Sequence, residues 1–391
     1  MSEWKKVKLR DCCLKIGSGS TPKGGSTVYV ESGTSFIRSQ NVYNLSFDYN
    51  GLTHITEDAA NKLNGVTIFN DDILLNITGD SVARTCIVPN DVLPARVNQH
   101  VAIVRADCKM INSRFLNYYL ASPGMQAHML SLAVGKGTSR NAMTKQMIEN
   151  FEVPCPPLPI QHHIVSILSR YDSLIENYQK QIKLLEEAAQ RLYKEWFVDL
   201  HFPGHENTKI IDGVPEGWEK KKLVEIAELK AGGDKPEIVS AKRTNECSVP
   251  IFSNGTTNEG LYGYTNLPVI LEQSVTISAR GSVGYTVFRR TPFVPIVRLI
   301  SVTPHNIYVG YIFYCLKSTT LDSNGAAQQQ ITIPMIRNKE ITIPSKGILE
   351  LFESQTEPIF NQIDILKELI RLLTEARDRL LPKLMSGEIA V

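Results

Sequence analysis

The residues best suited to chemistry in this sequence lie in short segments that combine glycine or serine with cationic and amide side chains. Arginine, asparagine and glutamine form paired hydrogen bonds with the edges of guanine and adenine. Glycine and serine let backbone amides approach phosphates closely. Ordinary surface turns use the same residue types and remain the alternative for each residue. The candidates are Arg38, Ser39, Gln40, Asn41, Thr78, Ser81, Arg84, Asn98, Gln99, Lys136, Arg140 and Asn141 in the first half, and Ser253, Asn254, Arg280, Ser282, Arg298, Gln328, Gln329 and Gln330 in the second.

Motifs of catalysis do not accompany these segments. Gly19 and Gly24 have the spacing of a phosphate-binding loop, but the lysine that such a loop requires does not follow. His201 and His205 are separated by proline and glycine, which exclude the helix that a zinc pair at this spacing needs. Neither a Gly-x-Ser-x-Gly elbow nor a His-Glu-x-x-His motif occurs. We therefore expect no catalytic residue, no metal site and no cofactor of the chain's own.

Composition limits the class of protein. Of 391 residues, 42% are hydrophobic, which is enough for two or three folded domains. Seven cysteines without Cys-x-x-Cys spacing favour a reducing compartment, and neither a signal peptide nor a long apolar run is present, so we expect a cytoplasmic protein. The net charge of +2 is weak evidence for a polyanionic partner, and a surface of mixed charge explains it equally well.

The chain repeats itself in order, with an offset between matching segments that shrinks along the chain. Each match is weak alone, but loop insertions between two divergent copies would produce this drift. The five matches pair Trp4–Leu9 with Trp218–Leu223, Thr78–Val82 with Ala279–Val283, Phe115–Leu120 with Tyr311–Leu316, Asn150–Pro154 with Lys339–Pro344, and Glu187–Leu192 with Glu375–Leu380.

Two long segments carry the heptad spacing of coiled-coil helices. In the first, apolar residues follow steps of 4 and 3 at Ile164, Leu168, Tyr171, Ile175, Tyr178, Ile182, Leu185, Ala189, Leu192 and Trp196. The offset of the last match, from Glu187 to Glu375, predicts the second seam at Phe352, Thr356, Ile359, Ile363, Leu366, Ile370, Leu373, Arg377 and Leu380, where only Thr356 and Arg377 are not apolar. Pro358 is expected in the first turn or at a kink, and Pro382 at the end or a bend of the second helix.

The expected fold class is α+β, with two pseudo-repeated globular domains separated by two long antiparallel coiled-coil helices. The alternative is that each helix merely packs on its own domain. The predicted divisions are a domain at 1–157, a helical region at 158–200, a linker at 201–217, a domain at 218–346 and a helical region at 347–391. Strands are expected at Gly65–Phe69, Ile73–Thr78, Val101–Arg105, Val275–Ser278, Tyr285–Phe288 and Val297–Val302, and short helices at Ser113–Ala121 and Tyr308–Lys317.

With these features the chain resembles the specificity subunit of type I restriction-modification systems. Four groups of residues carry the resemblance: Phe36–Val42, Glu149–Leu158, Tyr193–Asp199, and Val214–Trp218 together with Leu381–Ile389. The resemblance implies two target-recognition domains that each read half of a split double-stranded DNA site. It implies a coiled coil that sets the spacer and docks two modification (methyltransferase) subunits, to which restriction (motor and nuclease) subunits are added. S-adenosylmethionine, ATP and Mg²⁺ would then belong to the partner subunits.

Two rival hypotheses remain at this point. A coiled-coil scaffold without DNA contact would show no salt-dependent binding to a duplex. A self-contained nuclease or methyltransferase would form product from DNA, Mg²⁺ and S-adenosylmethionine without a partner.

Overall fold

The computed structural model describes residues 4–134, 141–319 and 330–389. The chain divides into two compact units. The first unit consists of Met1–Tyr178 and Glu368–Val391, and the second of Gln179–Lys367. Each unit therefore contains one globular segment and part of each long helix.

Both long helices form from the heptad segments. The described residues contain α1 (Leu9–Cys12), α2 (Glu57–Lys62), α3 (Ser113–Ala121), α4 (Pro123–Ala133), α5 (Lys145–Glu149), α6 (Leu158–Tyr193), α7 (Leu223–Ile226), α8 (Val309–Lys317), α9 (Ile333–Ile336) and α10 (Lys346–Met385). A π-helical turn, Lys194–Val198, continues α6. The predicted helices at Ser113–Ala121 and Tyr308–Lys317 correspond to α3 and α8 and are confirmed. None of the helices in the described residues is long and apolar enough to span a membrane.

The first unit is built on a four-stranded antiparallel sheet, ordered Thr85–Ile87, Ile73–Asn76, Val101–Ala106, Cys13–Ser18. The central strands are buried on both faces, so they are almost entirely aliphatic. A second sheet has the order Tyr29–Val30, Thr53–Ile55, Thr34–Ile37, Ala95–Val97, Thr67–Ile68. Two-stranded pairs join Lys6–Lys8 to Glu152–Pro154 and Val42–Tyr43 to Ser46–Phe47.

The second unit repeats the four-stranded sheet and three strands of the second sheet. Its four-stranded sheet runs Thr286–Arg289, Ser274–Ile277, Ile300–Pro304, Ala227–Ala231. A three-stranded sheet runs Leu261–Thr265, Val249–Phe252, Val294–Pro295, and its last two strands are parallel, as are Thr34–Ile37 and Ala95–Val97 in the first unit. Short pairs join Glu219–Lys222 to Glu340–Ile343 and Ile210–Ile211 to Val214–Pro215. The same strand order in both units confirms the internal repeat.

Two predicted strands begin later than the sequence indicates. The strand expected at Gly65–Phe69 starts only at Thr67, because Asn64–Val66 forms a 3-10 turn. The expected strand Val297–Val302 starts only at Ile300. Val297 and Arg298 have positive φ angles, which are incompatible with extended backbone, so they form a turn before the strand.

The predicted seams are the protected faces of α6 and α10. None of their residues is exposed, whereas Leu174 and Leu184, which lie off the seam of α6, are 43% and 62% exposed. In the first unit, the start of α6 (Ile164, Leu168) shares a buried cluster with the end of α10 (Leu381, Leu384).

In the second unit, the end of α6 (Ala189, Tyr193) shares a cluster with the early part of α10 (Phe352, Phe360). The paired stretches therefore run antiparallel in both units. Because each helix ends in the unit that does not contain the domain preceding it, the alternative of packing only on its own domain is excluded.

The first-turn position expected for Pro358 and the helix end expected at Pro382 were wrong, whereas a kink or bend at these prolines stays a prediction. Pro358 lies well inside α10 instead of in its first turn, and α10 continues past Pro382 to Met385. A proline inside a helix removes a hydrogen bond and costs about 3 kcal/mol. Both prolines are exposed, while Ile359, Phe360, Leu381 and Leu384 beside them are protected or buried. Burial of the adjacent seam thus offsets the cost.

Candidate nucleic-acid interface

In the first unit, four of the predicted segments meet where strands of the two sheets end. The backbone N–H of Asn98 donates to Ile37 O at 3.0 Å, which joins the 98–100 turn to the segment that begins at Arg38. The Ile77 N–H donates to His100 O at 3.0 Å, and the Gly79 N–H to Asn141 O at 2.9 Å. Segments 38–41, 78–84, 98–100 and 141 therefore form one connected surface, here called the first loop cluster.

Asn76 ties this cluster to the sheet. It is completely buried at the end of its strand, and its Nδ2 donates to Ser39 O at 2.8 Å. Next to it, Thr78 Oγ1 and His100 Nδ1 are 2.7 Å apart. The first cluster is thus fixed by Asn76 and His100. Sequence reasoning had not named Asn76, and it had named His100 only as a neighbour of Gln99 in the 98–100 segment.

The segment from Arg38 to Asn41 holds both supporting and accessible residues. Asn41 is completely buried: its Oδ1 accepts from the Arg38 N–H at 3.0 Å and its Nδ2 donates to Asp48 O at 2.9 Å. A contact between Asn41 and a base edge is therefore inconsistent with the structure, because both polar groups of its amide form hydrogen bonds that close the loop. Arg38 and Gln40 both donate to Gly51 O, at 2.9 and 3.1 Å.

Other candidates of the first cluster differ in accessibility. Gln99 is exposed, while Asn98 is only 8% exposed and its Oδ1 accepts the His100 N–H at 3.1 Å. Asn98 therefore supports the turn that presents Gln99. Thr78, Ser81 and Asn141 are partly exposed.

The guanidinium of Arg84 lies over the ring of Tyr43, 4.6 Å from its centroid. Such stacking favours a cation, and it leaves the edge of the guanidinium free to donate hydrogen bonds. Nothing in the spacing of the sequence indicated Tyr43.

In the second unit, Asn254 joins the corresponding segments. Its Nδ2 donates to Val297 O at 2.6 Å, and its Oδ1 accepts the Ala279 N–H at 2.7 Å. The Ile331 N–H donates to Ala279 O at 3.1 Å, which brings Gln330 to the same edge. Segments 253–254, 279–284, 297–298 and 330 form the second loop cluster.

The cationic side chains of the second loop cluster are exposed to solvent. Arg280, Ser282 and Arg298 are exposed, whereas Ser253, Asn254 and Gln330 are partly buried. Four predicted residues, Lys136, Arg140, Gln328 and Gln329, lie outside the described residues. Asn254, like Asn98, is a supporting residue, since both polar groups of its amide are engaged within the domain.

Arg289 is a buried cation that supports the second cluster. Its guanidinium lies 3.5 Å from the centroid of the Phe252 ring, and it donates from Nε to Thr276 Oγ1 at 3.0 Å and from Nη2 to Glu259 O at 2.6 Å. Burial lowers the pKa of Arg289 to about 10, against the opposing effect of Glu259, so it remains charged at neutral pH. Arg289 thereby secures the 253–260 loop against its strand.

The described residues of the two loop clusters are mainly amide, hydroxyl and guanidinium side chains. In the parts of the chain that the structure describes, no group of three His, Cys, Asp or Glu side chains could hold a metal ion. What the clusters offer is hydrogen-bond donors and acceptors on a fixed backbone, which suits recognition of a polar surface.

The chain matches a known family over most of its length. The family model described as "Type I restriction modification DNA specificity domain" matches residues 1–187 and 215–378. The type I restriction enzyme MjaIX specificity subunit of Methanocaldococcus jannaschii is 26% identical over 100% of this chain and 94% of that protein. The type I restriction enzyme HindI specificity subunit of Haemophilus influenzae is 21% identical over the full length of both.

A solved structure has the same fold. The crystal structure of a type I restriction-modification system S subunit from M. genitalium superposes with a TM-score of 0.57 at 17% sequence identity, covering 97% of this chain and 96% of the other.

Proposed function

The chain belongs to the type I restriction modification DNA specificity family, and from this premise we propose that each of its units reads one half of a split DNA site. It is a DNA sequence-specificity subunit of a type I restriction-modification system, and a non-catalytic one. The resemblance recognised in the sequence is thereby confirmed. The split site, the contact residues and the way in which the partners bind are the proposal.

One observation supports the proposal of a split site. In both units a four-stranded sheet with the same strand order has a loop cluster at the same edge. Two separate clusters with different side chains would read two different short sequences. In the first unit the candidates Gln40 and Gln99 are exposed and Arg38 and Arg84 are partly exposed. In the second unit Arg280, Ser282 and Arg298 are exposed. Arginine and glutamine pair with guanine and adenine edges in the major groove.

The long helices supply surfaces for two copies of one partner. Leu184 on α6 and Leu372 on α10 occupy equivalent positions of the two repeats and are 62% and 47% exposed. Leu174 and Leu369 are also exposed, at 43% and 36%. Leu369 and Leu372 lie three residues apart on one face of α10, and contiguous exposed apolar residues are typical of a protein interface. We propose that these residues dock two modification subunits, to which restriction subunits are added.

The chemistry would then reside in the partners. S-adenosylmethionine would serve the modification subunits, and ATP and Mg²⁺ the restriction subunits, while this chain would bind none of them. A cytoplasmic location accords with DNA as the substrate and with seven free cysteines.

The test is binding of the chain, assembled with its modification subunits, to duplexes. Sites methylated in cells that contain the assembly are mapped first, and a duplex with the mapped site is compared with a scrambled one at two salt concentrations. We expect at least a thousandfold preference for the mapped site, and a salt dependence for both duplexes. Equal affinity for the two duplexes would contradict sequence-specific recognition. No binding at either salt concentration would favour the scaffold hypothesis.

A further inference from the structure

Val297 and Arg298, at the tip of the second loop cluster, both have a left-handed backbone. Their φ angles are 53° and 60°. Residues other than glycine rarely adopt such angles, and for a branched residue such as valine they are a genuine outlier. Strained backbone of this kind persists only where surrounding structure enforces it, and it clusters at functional sites.

The surroundings of the turn enforce this conformation. The N–H groups of Val297 and Arg298 donate to Gly233 O and Gly232 O, both at 2.8 Å, and Val297 O accepts from Asn254. Gly232 is indispensable here, since a Cβ at this position would lie 2.7 Å from Pro295 C. The backbone of the turn is therefore fixed before any ligand arrives.

The side chain of Val297 does not explain why valine occupies the position. It is 49% exposed, so its burial contributes little to the core. Glycine or asparagine would adopt the left-handed angles at lower cost. The strained and rigid backbone thus holds a half-exposed isopropyl group next to exposed Arg298. This group offers an apolar contact surface at the edge of a polar cluster.

The equivalent turn of the first unit lacks this feature. Gln99 and His100 occupy the places of Val297 and Arg298, because the residues before them make the same backbone contact: the Asn98 N–H donates to Ile37 O at 3.0 Å and the Ile296 N–H to Phe252 O at 2.9 Å. Neither Gln99 nor His100 has a positive φ, and the side chain of Gln99 is exposed. At the same place, therefore, one unit presents an amide and the other an isopropyl group followed by a guanidinium.

We propose that Val297 is a specificity-determining residue of the second unit and that its isopropyl group contacts the 5-methyl group of a thymine in the major groove. The methyl group is the one apolar feature of base-pair edges in that groove, and apolar side chains recognise it by contact. The inference rests on the proposed function, and it adds to it the base that one position of the half-site must contain.

The test replaces each thymine of the mapped site with uracil, which removes only the methyl group. With the assembled complex, one replacement in the half-site of the second unit lowers the affinity about fourfold, as expected for one buried methyl group. In Val297→Ala the same replacement has no effect. Leu267→Ala is the matched control, since Leu267 is an exposed residue of the same unit and lies outside the loop cluster. It leaves the fourfold difference intact.

Several results would overturn the inference. These are a half-site without thymine on either strand, a wild-type complex indifferent to every replacement, or a Val297→Ala complex that keeps the full difference. In each case the preference for the mapped site over a scrambled duplex survives, whereas failure of the proposed function abolishes that preference.

A second variant separates recognition from simple packing. Val297→Gly relieves the strained backbone, so its thermal midpoint rises while the thymine–uracil difference disappears. A lower midpoint together with an unchanged difference would mean that Val297 serves only to pack the domain.

Discussion

The two units share a framework but differ at equivalent positions. In the first unit, Asp172 on α6 and Arg377 on α10 form an ion pair with a 2.8 Å Nη1–Oδ1 distance, and the hydroxyl of Tyr118 donates to Asp172. The equivalent positions of the second unit carry Phe360 and Ala189, which share its buried cluster. At these positions the two helices are thus joined by an ion pair in the first unit and by apolar contacts in the second.

The difference shows which properties the repeat preserves. Strand order, the helical seam and the edge that bears the loop cluster are common to both units, because they build the framework. Side chains at the loop tips and in part of the helix contact differ. A framework that tolerates such changes lets each unit recognise its own sequence.

Exchange of residues 212–345 for those of a relative should have the largest effect. If each unit reads alone, one half of the recognised site changes completely, because all contacts of the second loop cluster are replaced. Mapping methylated sites in cells with the exchanged chain checks this outcome. A change in both halves would show that the units do not recognise DNA independently.

Truncation of equivalent seam residues should destabilise each unit separately. Ile164 and Phe352 occupy the same seam position in the two repeats, and both are completely buried. We expect Ile164→Ala to cost about 2–5 kcal/mol in the first unit and Phe352→Ala about 3–5 kcal/mol in the second. Amide hydrogen exchange of the assembled complex locates the loss. Leu351→Ala, which removes a 46% exposed side chain of α10 outside the proposed docking residues, should change stability by less than about 0.5 kcal/mol.

Removing one partner of the ion pair in the first unit should lower the free energy of unfolding, whereas replacing both partners with apolar residues should restore most of it. Arg377 and Asp172 have side-chain exposures of 13% and 28%, so Asp172→Ala leaves a largely buried guanidinium without that partner. We expect a loss of about 2 kcal/mol, measured by urea unfolding. The double variant Asp172→Phe/Arg377→Ala imitates the second unit and should recover most of that loss. A double variant as unstable as the single one would show that the two contacts are not interchangeable.

High pH should weaken the second unit more than the first. Burial is the main cause that raises the pKa of Tyr193, Tyr285, Tyr308, Tyr311 and Tyr314 in the second unit, and of Tyr49, Tyr118 and Tyr119 in the first. A raised pKa in the folded state means that the stabilisation is complete below the unfolded value of about 10 and is lost as pH rises above it.

Tryptophan fluorescence can follow the units separately during urea unfolding. Trp4 lies in the first unit, and Trp196 and Trp218 in the second. A Trp4→Phe variant therefore reports on the second unit, and a Trp196→Phe/Trp218→Phe variant on the first. Equal losses between about pH 9 and pH 11 would contradict the expected difference.

Sequence reasoning predicted the framework because periodicity reports on burial. The spacing of Ile164 and Leu168 fixed the seam of α6, and the offset between the two copies transferred it to α10 with each position protected. The roles of Asn41 and Asn254 could not be predicted in this way. An amide that closes a loop and an amide that faces a ligand have the same local sequence, and only tertiary contacts distinguish them. The left-handed Val297 and the prolines within α10 likewise depend on neighbours distant in the chain.

Insertion of one heptad into both α6 and α10 tests most directly whether the helix pair sets the distance between two independent recognition domains. Seven residues lengthen a helix by about 10 Å, or about three base pairs of duplex at 3.4 Å each. Mapping of methylated sites should give unchanged half-sites separated by a spacer about three base pairs longer. An unchanged spacer would show that the helix pair does not set this distance, and altered half-sites would show that the recognition domains are not independent of the helices.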